Sequence, residues 1–292
     1  MEQIKQFFMK KYESQSGVIS VAAVSNPYPY NPLIEGLDLL VLVVAKQGTV
    51  AEGIEHVRVN GDRILIRTMD PVEMERLLAS GENRSIIRWI VRGEIMMDRD
   101  GYLENLRVRI MAYPKTLRDQ KQFVEFAGFL RTYLQAKHEL QDRHLLDAHS
   151  HILAALHHWA HIALIEEGQH PELTVWRQMR RFDPGIYKLY EELTVSPETL
   201  EQRVKLVMLA CEFAVMNKMR SCCTLLLDIL ASREEPWSIA ELQRHPLIEH
   251  LHVDLSLILQ KLVKRSYIRE VAVMASAGQM DNLELRYKNI AI

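Results

Sequence analysis

The chain has 292 residues, 48% of them hydrophobic and 25% charged, with a formal net charge of −2. That length admits two or three domains whose cores need no staples, and the near-zero charge gives no whole-chain electrostatic argument for nucleic acid or an anionic membrane. The three cysteines, Cys211, Cys222 and Cys223, lack CxxC or finger spacing and read as reduced thiols of a cytoplasmic protein.

In chain order, residues 2–15 place Ile4, Phe7, Phe8 and Tyr12 at helical spacing. No signal-peptide core is present there, and no later apolar run approaches the roughly 18 residues of a membrane span. Three strand candidates follow: GVISVAAVS (17–25), LDLLVLVVA (37–45) and EHVRVNGDRILIRTM (55–69). The second is apolar throughout beyond Asp38, as a strand covered on both faces should be. The third is two alternating runs around Asn60-Gly61, a hairpin signal. Asp70-Pro71 with Glu73 predicts a helix cap, first position and first-turn acid for a helix ending near Gly81. SIIRWIVR then reads as a short helix, before a turn at Asp100-Gly101.

From residue 116 the apolar period becomes 3.6 and stays so to about residue 231, which predicts an all-helical domain. Within it, Ser196-Pro197-Glu198 reads as a helix start. The charged break SREEPW (232–237) precedes a tail of two helices, a strand (REVAVMA), a turn (SAGQMDN) and a strand (LELRYKNI), the pattern of a winged helix. Ile239, Leu242, Leu255, Leu259, Leu262 and Ile268 are its expected core.

The stretch VSNPYPYNPLIEGLDLLVLVVA (24–45) runs a Pro/Asn/Tyr-rich loop into a strand with Asp38 at its mouth. A carboxylate leading into a buried strand is a common metal holder, but the usual second acid two residues on is Leu40. The order of helix, small-residue strand, turn, acid-bearing strand and hairpin strand resembles the nucleotidyltransferase fold, in its kanamycin- and minimal-nucleotidyltransferase branch. That family's motif is Gly-Ser, a spacer, then Asp-x-Asp/Glu, with a third acid on a later strand. Here Val24-Ser25 stands for Gly-Ser, with twelve residues between Ser25 and Asp38, and the remaining acids fall on Leu40 and near Ile66. RGEIMMDRDGYLENL is similar to the family's strand-end segment, and HHWAHIALIEEGQHPELTVW to its helical substrate domain. The likeness spans about residues 1–230.

The resemblance implies an α+β protein in three parts: a nucleotidyltransferase-like α/β domain (1–114), a helical substrate-binding-type domain (115–231) and a winged helix-turn-helix domain (232–292). It implies a nucleotide with Mg²⁺ as ligand, with Asp38 as the catalytic and metal-binding residue. Ser25, Asn26, Arg67, His157 and His161 are the expected lining of a cleft between the first two domains. Two-metal transfer needs several hard oxygen ligands, and one aspartate beside Leu40 and Ile66 does not supply them. The expected function is thus binding of a nucleotide or other anion with catalysis weakened or lost. The alternatives are an active nucleotidyltransferase acting on a small molecule, protein or RNA, and a ligand-sensing DNA-binding regulator.

Two other patterns bear on function. His157 and His161 lie at i, i+4 beside His149, His151 and His158, a face metals can use, though no HExxH acid accompanies them. Arg143 and His149 have a spacing similar to the ribonuclease motif of the HEPN helical bundles. In the tail, Lys261, Lys264, Arg265 and Arg269 form an exposed positive set suited to a protein partner or a homodimer, while the groove-entering turn carries Asp254, Ser256 and Leu257. From residue 233 onward eight basic residues face eight acidic ones, which makes DNA the runner-up partner.

Overall fold

A computed structural model describes residues 2–27, 36–80, 84–172, 174–274 and 283–290. The loop at 28–35, the helix end near Gly81 and the turn at 275–282 lie outside the described residues. The chain forms two compact units, Met1–Pro114 and Lys115–Ile292.

The first unit is a five-stranded sheet in the order β3-β4-β2-β1-β5, with β1 Val18–Ser25, β2 Leu39–Ala45, β3 Gly53–Val59, β4 Asp62–Met69 and β5 Glu94–Asp98. Only β2 and β4 run parallel; the other neighbours are antiparallel. Every residue of β2 is buried, because both faces are covered. Leu39, Val41 and Val43 pack on one side with Ile4, Phe8 and Tyr12 of α1 (Glu2–Glu13). Leu40, Leu42 and Val44 pack on the other with side chains of α2 (Pro71–Ser80), α3 (Arg84–Arg92) and α4 (Tyr102–Ala112). The alternation of strand side chains produces the two layers. Asp70 caps α2, its Oδ1 accepting from Glu73 N at 2.7 Å. Asp98 does the same for α4, accepting from Leu103 N and Glu104 N, both at 3.0 Å.

The second unit opens with α5 (Lys115–Gln141) packed along α6 (Leu145–Glu166), with α7 (Val175–Phe182), α8 (Pro184–Val195) and α9 (Leu200–Cys222) completing the bundle. Helix α9 begins three residues later than the Ser196-Pro197-Glu198 pattern predicts. Thr199 and Gln202 form a reciprocal capping box, which satisfies two otherwise orphan backbone donors and outcompetes the proline signal; Ser196 instead accepts from Glu198 N in a local turn.

Helix α10 (Thr224–Ala231) leads to α11 (Ile239–Gln243), α12 (Leu255–Lys264) and the antiparallel ribbon β6 (Ile268–Met274) and β7 (Leu283–Asn289). Leu242, Leu255, Leu259, Leu262 and Ile268 are buried, Ile239 is half-buried, and Ile248, Leu251, Ile258 and Tyr287 join them. Trp237 and Tyr287 exchange backbone hydrogen bonds at 2.8 Å in each direction, tying the last strand to the domain's entry.

Candidate functional site

At the end of β1, Ser25 pairs with Leu39, and Asn26 turns through a positive φ of 45°. Asn26 N–H donates to the Asp38 carbonyl at 3.2 Å, so this amide is occupied within the fold. Asp38 itself is exposed, donates its own N–H to the Arg63 carbonyl at 2.9 Å, and accepts Arg63 N–H on Oδ2 at 2.8 Å. Its carboxylate fastens the start of β2 to the start of β4.

At strand spacing after Asp38 come Leu40 and Leu42, both buried. Their parallel neighbours on β4 are Leu65 and Arg67. Ile66, aligned above with the third acid, packs in the opposite layer beside Val41; the positions sharing a face with Leu40 are Leu65 and Arg67. Arg67 reaches Glu73 at 3.5 Å and stacks over Trp89 at 5.9 Å. Among the described residues no three His, Cys, Asp or Glu side chains gather into a metal-binding group. Mg²⁺ needs a near-octahedral set of hard oxygens, and a single strand-fastening carboxylate beside leucines does not fit it.

The donors near Ser25 come instead from α3. This helix buries Ile86, Trp89 and Ile90, and the i, i+4 spacing puts Arg88 and Arg92 together on another face. Together with Ser25, Asn26 and Glu94 they line a pocket of about 330 Å³. Arg88 donates to the carbonyls of Asn26 at 2.8 Å and Pro27 at 3.1 Å, and Trp89 Nε1 donates to Pro27 O at 3.1 Å. Glu94 is ion-paired with Lys5. Neither arginine stands out in the sequence, because the charged face of an amphipathic helix ordinarily meets water.

In the second unit the histidine face is turned inward. His161 is 1% exposed, and its Nδ1 donates to Glu125 Oε1 at 2.8 Å. His158 donates to Oε2 of the same carboxylate at 2.6 Å. Burial by itself would push the Glu125 carboxyl up, but the two imidazole hydrogen bonds and their charges hold it well below the usual carboxylate range. Lys121, one turn earlier on α5, is also buried; desolvation pulls it down to about 8, against the field of Glu125. His161 Nε2 is buried without a hydrogen-bond partner among the described residues. His157 meets His161 edge-on at 4.6 Å and Trp176 at 5.7 Å, and Trp176 stacks on Tyr190 at 4.0 Å. The i, i+4 pair is thus an aromatic contact, and the carboxylate partner comes from another helix. Arg143 is exposed at a positive φ of 66° in the α5–α6 turn, and His149 is half-buried on α6.

Helix α12 is capped by Asp254, whose Oδ1 accepts from Ser256 N at 3.0 Å and Leu257 N at 3.4 Å. Lys261, Lys264 and Arg265 border a pocket whose other walls belong to α5 and α9, while Arg269 is exposed on β6. No helix among the described residues is long and apolar enough to cross a membrane.

Residues 1–118 match the family described as nucleotidyltransferase-like, residues 119–218 the YgxA-like substrate binding domain, and residues 224–281 a helix-turn-helix domain. The helix-turn-helix match takes in α10. The chain is 29% identical over 279 residues to the uncharacterized protein YgxA of Bacillus subtilis (strain 168), covering 96% of this chain and 94% of that one. It is similar, at 29% identity and a TM-score of 0.88 over 100% of both chains, to a nucleotidyltransferase-like protein from Exiguobacterium sibiricum known from a crystal structure. The fold, the strand order and these matches together make this an α+β protein with a nucleotidyltransferase-like N-terminal domain, a YgxA-like substrate binding domain and a C-terminal helix-turn-helix domain.

Proposed function

We propose that the N-terminal domain binds a phosphate-bearing ligand, a nucleotide foremost, in the pocket of Ser25, Asn26, Arg88 and Arg92, and does not carry two-metal nucleotidyl transfer. The observation behind this reading is the fate of Asp38: its carboxylate accepts the Arg63 amide, and Leu40, Leu65 and Arg67 occupy the face where further acids would be needed. Two metals stabilise the charge that develops on a transferring phosphoryl group. A leucine offers no ligand, and an arginine repels a cation. Guanidinium groups hold phosphate oxygens in a planar, bidentate manner without a metal, and Arg88 and Arg92 border the same pocket as Ser25.

The test is a calorimetric titration of the full chain with ATP, with and without Mn²⁺, beside an assay of label transfer from radiolabelled nucleoside triphosphates. The expected result is metal-independent binding that weakens on the order of tenfold in Arg88→Ala and Arg92→Ala, with no transfer. Metal-dependent transfer that disappears in Asp38→Ala would overturn the reading in favour of an active enzyme; absence of saturable ATP binding would end the binding proposal.

The helix-turn-helix match supports a second reading, a ligand-sensing regulator that contacts DNA. Its mark is duplex affinity that falls steeply with salt.

A further inference from the structure

We infer that the pocket between α5, α9 and α12 is a second ligand site, and that it takes an organic anion with an apolar body. It is a space of about 370 Å³, within the range of small-molecule sites, and independent of the N-terminal pocket. Two kinds of lining carry the inference. One wall is apolar: Leu130 and Leu134 from α5, with Val215, Met216 and Met219 from α9. Methionines give such a wall an adaptable, polarisable surface. The rim is cationic: Lys137 from α5, then Lys261, Lys264 and Arg265 from α12 and its cap.

Against these four cations the pocket has one carboxylate, Glu212. Glu212 is engaged with Lys137 at 2.8 Å, and the same lysine approaches the Tyr133 hydroxyl at 3.4 Å. Lys261, Lys264 and Arg265 form no ion pair among the described residues. They stand at i, i+3 and i+4, where like charges destabilise a helix. The end of α12 does favour cations through its dipole. That accounts for where on the helix they sit; it does not account for an apolar wall from α5 and α9 closing the same space, with a fourth cation and a phenol on it. An anion relieves the crowding of the rim, and an apolar body covers the exposed methionine of the wall: Met216 is 37% exposed. Because the walls come from both the bundle and the helix-turn-helix domain, an occupant bridges the two and ties the placement of α12 to ligand concentration.

The probe is 1-naphthyl phosphate, added to the full chain labelled at methionine methyl groups with ¹³C and followed by NMR, with 1-naphthol and inorganic phosphate as the controls that lack one half of the chemistry. The Met216 and Met219 methyls, assigned by Met→Leu variants, are expected to shift saturably with a Kd on the order of 10–100 µM. The paired change Lys261→Ala with Lys264→Ala is expected to weaken binding about tenfold or more, and each control to bind at least about tenfold more weakly. Should the remaining methionine signals show the double variant misfolded, Arg265→Gln takes its place with the same expectation. Unshifted Met216 and Met219 methyls at about 1 mM probe, unchanged affinity in the cation variants, or equal binding of 1-naphthol would each overturn the inference.

Discussion

His158 fits over α5 only because residue 128 is a glycine: a Cβ built there would stand 2.4 Å from Cε1 of the imidazole. A glycine inside a 27-residue helix costs about 1 kcal/mol relative to alanine, so on propensity alone Gly128→Ala should stabilise α5. The contact reverses the sign. Gly128→Ala is expected to lower stability by about 1–3 kcal/mol in urea unfolding and to displace His158 from Glu125, seen as a change in its ring ¹⁵N shifts. A more stable variant with an unchanged His158 signal would show the ring has another place to go.

Glu125 gives a pH dependence with a definite sign. Its carboxyl titrates well below the ordinary value of 4.5 in the folded chain, so the stability it contributes is present above that value and is lost as pH falls below it. Glu125→Gln keeps the shape but loses the charge. It is expected to cost about 2–4 kcal/mol at neutral pH and to flatten the acid limb of the stability curve between pH 4.5 and lower values. An acid limb of equal steepness in the variant would place the responsible carboxylate elsewhere.

Lys121 acts in the opposite direction. Desolvation brings it from 10.5 to about 8, so between these values the unfolded chain binds a proton that the folded chain does not. Stability contributed by this group therefore rises with pH across that window, and below it the folded chain carries a buried ammonium whose desolvation the field of Glu125 offsets only in part. Lys121→Met is expected to gain about 1–3 kcal/mol at pH 7 and to remove the rise between pH 8 and 10.5. Thermal unfolding of both chains at several pH values measures it; a destabilised variant with the rise intact would mean that the ammonium holds Glu125 in place.

Asp38 separates a structural from a chemical role. Asp38→Asn retains an acceptor for the Arg63 amide, whereas Asp38→Ala leaves that N–H to water. ATP affinity is expected to stay within about twofold in Asp38→Asn, because the proposed phosphate donors are Arg88 and Arg92. A loss of affinity in Asp38→Asn comparable to that in Arg88→Ala would assign the aspartate to the ligand after all.

Much of the fold was legible because it rests on local chemistry. The turn at Asn60-Gly61 needs positive φ, 52° and 92° here, and Asp70-Pro71 carries a cap and a fixed φ in adjacent residues. The all-apolar β2 announced its two covered faces. What was not legible depends on partners distant in sequence. Glu125 lies among phenylalanines on a helix that also has a long solvated face, and nothing local shows that His158 and His161, more than thirty residues on, turn toward it. The signal that could have found it is Gly128 itself, a helix-interior glycine without a local reason. Arg88 and Arg92 were hidden by the same ambiguity, since periodicity gives the polar face of α3 but not what the face borders. Lys261, Lys264 and Arg265 read as a free surface because α5, which lines the same pocket, lies more than a hundred residues earlier.

The backbone exchange between Trp237 and Tyr287 acts as a clasp. The polypeptide leaves the bundle, forms α11, α12 and the ribbon, and is then fastened beside the point where it set out, so the geometry of residue 237 depends on a strand at the far end of the domain. Removing residues 283–292 deletes β7 and with it the ribbon, and is expected to do more than that: it unlatches Trp237, whose ring also supports the guanidinium of Arg233 at 3.7 Å, and frees the connector from α10 to swing. Limited proteolysis after Arg233, slow in the intact chain and rapid in the truncated one, reads out that release.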